Sequence, residues 1–305
     1  MDRFASLRGF VAVVDHGGFA PAARSMGLAT SSLTRQVNAL EAHLGTVLLN
    51  RSTRSLSLTE AGSQYLADAR RILEELAEAD RNVREAADRP SGTLRISLPV
   101  AFAKLHVSPL LPVFLKRYPD VRIELQATDS VVNLVEERID VAIRIGSPGS
   151  DSLIARKLAP HHRIVCASPA YIEGCGSPSE PSDLTQHNCL VFGRDEIGAT
   201  WQFTKAKQSQ SVRVEGSLKA DSSEVLRDAA LADLGLVLLP SWLIGQDIKA
   251  GALKQILGDW QADLGTDLDG IYAAYLPNRR GSVKLRCFID FLVEQFGAPP
   301  YWEGA

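Results

Sequence analysis

Between Thr59 and Asp88 the chain contains one glycine, Gly62, and no proline. A stretch so free of helix breakers predicts one long helix, with Thr59 as its N-terminal cap. Such a helix is too long for a small core, and it separates a module at residues 1–58 from the remaining two-thirds of the 305-residue chain. Leu66, Ala69, Leu73, Leu76, Asp80, Val83 and Ala87 alternate three and four apart, a heptad seam interrupted by one acid. Arg70/Glu74, Arg71/Glu75 and Arg81/Glu85 stand four apart on the outer faces. The seam predicts a dimer; packing of the helix on its own module is the plainer alternative.

Ahead of this helix, Phe4, Leu7, Val11 and Val14 recur at helical spacing, with Phe10 widening the stripe. They predict a helix over 3–15, ended by Gly17-Gly18. A short second helix has Pro21 in its first turn, where a missing N–H is harmless, then Ala22, Ala23 and Met26, and stops at Gly27. Thr30 is the expected cap of a third helix, whose Leu33, Val37, Leu40 and Leu44 share one face and which Gly45 ends. Its other side presents Thr30, Ser31, Ser32, Thr34, Arg35 and Asn38. Short hydroxyls, one guanidinium and one amide can approach base edges in a major groove without bulky aliphatics in the way. Taken alone, such a face suits plain solvent exposure better.

The context argues for DNA. In Leu48–Leu58, Leu56 and Leu58 alternate with serines as a half-buried strand does, and Arg51, Thr53 and Arg54 lie near the hairpin tip. A wing of this kind sets arginines on phosphates or in a narrow minor groove. Residues 1–58 hold six Arg, no Lys and three acids, whereas the whole chain has a formal charge of −3. A basic module on an acidic body fits an attached DNA-binding domain.

The run FAPAARSMGLATSSLTRQVNALEAHLGTVLLNRSTRSLSLTEAG resembles the DNA-binding domain of the LysR-type transcriptional regulators. The likeness rests on a Phe-x-x-Ala-Ala helix, a Ser/Thr-rich helix with Arg-Gln, Leu-Glu-x-x-Leu-Gly, and a wing with two arginines. Two departures stand out. Ala20 occupies the place of the family's Ser or Thr cap, and Ala29-Thr30-Ser31 replaces the common Ser-Gln-Pro/Ser opening. The second removes a Gln able to read adenine, so a different operator sequence is expected. The resemblance implies a sequence-specific regulator that pairs through its linker helix on an inverted-repeat double-stranded operator. It further implies assembly into a tetramer, contact with RNA polymerase, and response to a small-molecule effector.

Beyond a hinge at Asp88–Gly92, short β-rich runs at 93–98, 122–127 and 141–145 alternate with helical segments at 101–118 and 131–137. This predicts a largely parallel sheet covered on both faces. Strands follow at 163–167, 189–192, 212–218 and 236–239, with a helix at 222–232; strand 270–276 and helix 282–296 are expected to return to the first sheet. PLLPVFLKRYPDVRIEL, LVEERIDVAIRIG, IVCASPAYI and LRDAALADLGLVLLP resemble the family's two-lobed regulatory domain, akin to periplasmic binding proteins. The expected α/β architecture is therefore a winged helix-turn-helix (1–58), a linker helix (59–89) and an effector domain (90–305) with lobes at 90–162 plus 268–305 and at 163–267. Ligands of such folds sit at strand C-termini and helix N-termini between lobes. Those places are occupied here by Ala101, Phe102, Thr128, Arg144, Gly146, Asp221 and Ser222, with Phe203 flanking an apolar portion. Free N–H groups at Ala101 and Ser222 favour an organic acid; Asp129 opposes one. The expected mechanism is closure of the lobes, which reorients the linker helices and changes the spacing of the paired reading helices.

Two rivals use the same two-lobed body. An enzyme would need a catalytic motif, and the chain has no Gly-x-Ser-x-Gly, P-loop or HExxH, and no motif for a metal or cofactor. A solute receptor would need an export signal, which the opening residues lack, and no run of about 18 apolar residues predicts a membrane span. Cytoplasm is the expected location. His161-His162 suits surface or hydrogen-bonded loop histidines better than a metal site. Cys166, Cys175, Cys189 and Cys287 read as free thiols, a redox pair of the first two being the alternative.

Overall fold

The computed structural model describes residues 2–51, 56–83, 89–146, 152–193, 199–265 and 270–303. The chain divides into two units, Met1–Asp88 and Arg89–Ala305. In the first, α1 (Arg3–Asp15), α2 (Phe19–Met26) and α3 (Thr30–Leu44) precede a hairpin of β1 (Leu49–Arg51) and β2 (Leu56–Leu58), and α4 (Glu60–Val83) follows. Leu7, Phe10, Val13, Ala22, Ala23, Leu33, Val37, Leu40, Leu48 and Leu49 form the core. The inward face of α1 is rotated from the predicted stripe: Ser6, Leu7, Gly9, Phe10 and Val13 are buried, whereas Phe4 is 45% exposed. The cause is close approach to α3, where a Cβ on Gly9 would stand 2.7 Å from Leu33 Cδ1.

Gly27 and Gly45 end their helices in the left-handed region (φ +67° and +68°), as their sequence positions predict. The N-terminal caps differ from expectation. Ala29, not Thr30, caps α3 with no side-chain hydrogen bond, and Thr30 lies in the first turn, its carbonyl accepting the Thr34 hydroxyl at 2.8 Å. Gly18 caps α2 without a side-chain hydrogen bond, so Ala20 is a first-turn residue rather than the cap.

Thr59 does cap α4. Its Oγ1 accepts the Gly62 N–H at 2.9 Å and donates to Val47 O at 2.8 Å. The start of the predicted seam turns inward: Leu66 and Ala69 are buried in the module's own core, with Leu73 packed against it. Arg70 pairs with Asp15 of α1, and Arg71 with Asp68 at 3.7 Å. The side chains of Glu74, Glu75 and residues 81–88 lie outside the described ones, and with them the predicted pairs at four-residue spacing.

The second unit holds two sheets. The five-stranded one runs in the order Val121–Ala127, Gly92–Leu98, Val141–Ile145, Gly270–Tyr275, Ile154–Pro160. Its first three strands are parallel, and Gly270–Tyr275 is antiparallel to both neighbours. The eight-stranded sheet is mostly antiparallel; only Leu236–Pro240 and Lys219–Ala220 run parallel to Cys189–Phe192. The sheets are therefore mixed rather than largely parallel, because returning strands enter each one between or beside the βαβ strands.

The helical run over 100–117 changes type along its length, from α at Val100–Phe102 through π at Ala103–Val107 and 3-10 at Ser108–Leu110 to α at Leu111–Arg117. Pro109 and Pro112 remove two N–H donors, which breaks a uniform α ladder. The helix predicted at 131–137 is not formed. Asn133 Oδ1 accepts Val135 N–H at 3.0 Å and Arg138 turns left-handed (φ +57°), closing the segment after a single turn.

Part of the boundary between the lobes is a packed aromatic junction. Phe102 and His106 of the first helical run lie against Trp242, which opens the Ser241–Lys249 helix, and against Trp302 near the C-terminus. Burial pulls the His106 pKa down to about 4, so the ring is neutral at neutral pH. Trp242 O accepts only, so Nε2–H donates to it at 2.9 Å and Nδ1 accepts from the Tyr301 hydroxyl at 2.6 Å.

Candidate DNA-reading face and ligand pocket

On α3, Leu33, Val37 and Leu40 are buried, while Thr30, Ser31, Arg35 and Asn38 are exposed and Ser32 and Thr34 half-buried. The guanidinium of Arg35 touches Ser32 Oγ at 3.5 Å and, among the described residues, has no carboxylate partner. The cap of α3 has no side-chain acceptor, and the Ala29 carbonyl accepts the Ser32 and Leu33 N–H groups at 2.9 and 3.1 Å. β1 and β2 pair with Leu49 opposite Leu58 and Arg51 opposite Leu56. Thr53, Arg54 and the Arg51 side chain lie outside the described residues.

Two anchors of this face escape a reading of the sequence alone. Glu41 Oε1 accepts the N–H groups of both Leu48 and Leu49, at 2.9 and 3.1 Å, and so ties α3 to the hairpin. A Cβ on Gly62 would stand 2.0 Å from Leu48 O, so only glycine lets α4 start against the same hairpin. The Leu-Glu pair at 40–41 carries the first signal, but nothing in its local pattern reveals a partner seven residues on.

In the five-stranded lobe a cavity of about 370 Å³ is lined by Ser97–Pro99, Thr128–Val132 and Ala142–Ile145. These are the C-terminal ends of its three parallel strands and the turns beyond them. Thr128 and Arg144 are thus brought together. Arg144 is half-buried in its strand opposite Tyr272, and its guanidinium has no ion pair or hydrogen bond among the described residues. Asp129 Oδ1 accepts the Val100 N–H at 3.1 Å, so that carboxylate caps the helical run.

The other expected ligand contacts lie elsewhere. Phe102 and Phe203 are fully buried, Phe102 in the junction core and Phe203 in the core of the eight-stranded lobe, so neither has a face to offer a ligand. Ala101 is half-buried in the helical run, and Gly146 is buried with its N–H on Gly270 O at 2.8 Å; neither lines this cavity. Asp221 is exposed, and Ser222 caps the Ser223–Leu231 helix by accepting the Val225 N–H at 3.4 Å. Both stand on the other lobe.

All four cysteines are free. Burial raises the thiol pKa of Cys166 and pushes that of Cys189 up to about 12, which leaves both inert. A redox pair of Cys166 with Cys175 is not supported. His161 departs from expectation in the other direction. It is 5% exposed, and among the described residues neither ring nitrogen has a hydrogen-bond partner.

Two family models match the chain: the bacterial regulatory helix-turn-helix protein of the lysR family over residues 4–63, and the LysR substrate binding domain over residues 87–297. The HTH-type transcriptional regulator PtxR of Pseudomonas aeruginosa is 36% identical, covering 97% of this chain and 93% of that protein. CrgA of Neisseria meningitidis, a LysR-type transcriptional regulator, is similar in structure with a TM-score of 0.60 at 35% identity, over 96% of this chain and 98% of its own. The full-length Vibrio cholerae virulence activator AphB has a TM-score of 0.58 at 31% identity, over 95% and 98%. The two matched domains and the full-length likeness agree: the chain belongs to the LysR family, whose members are DNA-binding transcriptional regulators with an effector-binding domain.

Proposed function

We propose that the chain grips an inverted-repeat operator as a homodimer, assembled further into a tetramer, and releases or reshapes it in response to a small organic acid. Thr30, Ser31, Ser32, Thr34, Arg35 and Asn38 enter the major groove, and Arg51, Thr53 and Arg54 of the wing hold phosphates or the minor groove. One observation carries this reading: the polar side of α3 is open while its leucine side is buried. Since Leu66 and Ala69 already serve the module's core, the pairing surface of α4 falls further on, at Ile72 (36% exposed) and the half-buried Leu76. The effector sits in the cavity beside Arg144, whose guanidinium, without a partner among the described residues, matches a carboxylate, with Thr128 supplying a hydroxyl and Val131, Val132 and Ile143 an apolar wall. Contact with RNA polymerase follows from regulation at a promoter, and the cytoplasm from the location of the DNA.

The test is a gel-shift with DNA upstream of the gene at two salt concentrations. Phosphate neutralisation predicts a slope of log K against log salt near ~−0.9 per phosphate contacted. A chain that ignores duplex DNA at low ionic strength ends the proposal. Effector class is tested by a thermal-shift screen of aliphatic and aromatic carboxylates.

A further inference from the structure

The chain passes from the five-stranded lobe to the eight-stranded one at Pro160–Arg163 and returns between Asp263 and Gly270. Its C-terminal turn, residues 297–303, makes a third link. The turn follows the Val283–Phe296 helix, which itself follows the Gly270–Tyr275 strand of the five-stranded sheet. It closes on itself, Tyr301 N–H donating to Phe296 O at 2.9 Å, and then runs along the Ser241–Lys249 helix, which follows the Leu236–Pro240 strand of the other sheet. Ser241 Oγ donates to Glu303 Oε1 at 3.1 Å, Trp302 O rests on Gly245, and Lys249 Nζ donates to Tyr301 O at 2.7 Å. Positions 241, 245 and 249 are four apart, so one stripe of that helix receives three consecutive residues of the turn.

Two of the three residues also hold the five-stranded lobe. Trp302 is 2% exposed, its indole against the rings of Phe102, His106 and Phe296, and the Tyr301 hydroxyl donates to His106 Nδ1 at 2.6 Å. Position 245 is shaped for this segment. A Cβ there would stand 2.3 Å from Trp302 O, and Gly245 lies inside a helix, where glycine is otherwise unfavourable. The grips are uneven. Trp302 is enclosed, whereas Tyr301 and Lys249 are exposed and water competes for their hydrogen bonds. Withdrawal of one indole therefore frees the whole segment.

We propose that the C-terminal turn is a releasable strap across the lobes. With Trp302 seated the lobes move as one body, and with it withdrawn they pivot on the two chain crossings alone. Gly245 is the seat that admits the strap. Residues 297–303 belong to neither sheet, so release breaks no strand pairing and falls among local openings rather than global unfolding. The strap lines no part of the Arg144 cavity, and its role is independent of what that cavity binds.

The experiment is native-state hydrogen exchange of the full chain in rising urea, read by mass spectrometry on one strand from each lobe, Gly92–Leu98 and Leu236–Pro240. In the parent the two strands lose protection along one curve. Trp302→Ala separates the curves and, without urea, speeds exchange of the Ser241–Lys249 helix roughly tenfold while Gly92–Leu98 stays within about twofold of the parent. Gly245→Ala gives the same separation with every strap residue unaltered. Tyr301→Phe removes only the hydroxyl bond to His106 and quickens the helix by a smaller factor. It provides the reading should the other two variants not fold, and an unchanged helix there overturns the proposal. Curves already separate in the parent, curves that stay together in Trp302→Ala and Gly245→Ala, or exchange raised equally in both lobes would each do the same.

Discussion

Arg35 and Arg144 both lack a carboxylate partner among the described residues, yet they reach their sites by different routes. Arg35 belongs to a face written within one helix, where Ser31, Arg35 and Asn38 stand four and three apart and the opposite positions are leucines and a valine. Arg144 belongs to a cavity assembled from three strand ends distant in sequence, at 97–99, 128–132 and 142–145. A reading surface of the first kind survives as long as its helix does. A cavity of the second kind depends on sheet register, where a slip of one residue would turn Arg144 to the other face.

The comparison can be broken most forcefully at Gly62. Gly62→Ala sets a methyl against the Leu48 carbonyl and is expected to destabilise the N-terminal module by roughly 3 kcal/mol. Circular dichroism follows its helices, while tryptophan fluorescence follows only the second unit, because Trp201, Trp242, Trp260 and Trp302 all lie there. Equal drops in both signals would mean that the units do not unfold separately. Next in size is Arg144→Met. A carboxylate that stabilises the parent by about 2.7 kcal/mol at a hundredfold excess over its dissociation constant should lose that effect, with effector-free operator affinity unchanged.

Smaller effects sharpen the contrast. Arg35→Ala should weaken operator binding by about 2 kcal/mol if the guanidinium reads a base, as measured by fluorescence anisotropy on matched and mismatched duplexes. A loss uniform across sequences would assign Arg35 to a phosphate instead. Thr59→Val removes the cap of α4 and should lower module stability by about 1 kcal/mol in urea unfolding, with ligand response untouched. A changed response would couple the linker helix to the cavity through its first turn.

What the sequence discloses follows the same division. Helices α1 to α4 and the hairpin were visible because each is bounded by its own punctuation: Gly27, Gly45 and Thr59 act where their positions suggest. The rotated face of α1 was not visible, since it is set by the crossing at Gly9 rather than by hydrophobic spacing. In the second unit the βαβ strands were legible, but the strands at Ile154–Pro160, Ala199–Lys205, Lys254–Ile256 and Gln261–Asp263 were not. Ile154–Pro160 alternates little and is placed by pairing with Gly270–Tyr275 far along the chain. Phe102 and Phe203 show the same limit, because an aromatic near a strand end or helix start is as ready to fill a core as to line a cavity. His161 shows the reverse, a polar residue whose burial no local pattern announces.

The grip of Glu41 on the backbone of Leu48 and Leu49 has a consequence for the operator. If helix and hairpin meet the operator as proposed, they behave as the two fixed points of a calliper, and the distance between the bases met by one and the backbone met by the other is built into the polypeptide. Base substitutions between those two footprints leave the gauge intact. One inserted base pair shifts the far point by about 3.4 Å along the duplex and also rotates it, a misfit that no side-chain rearrangement at either end can absorb.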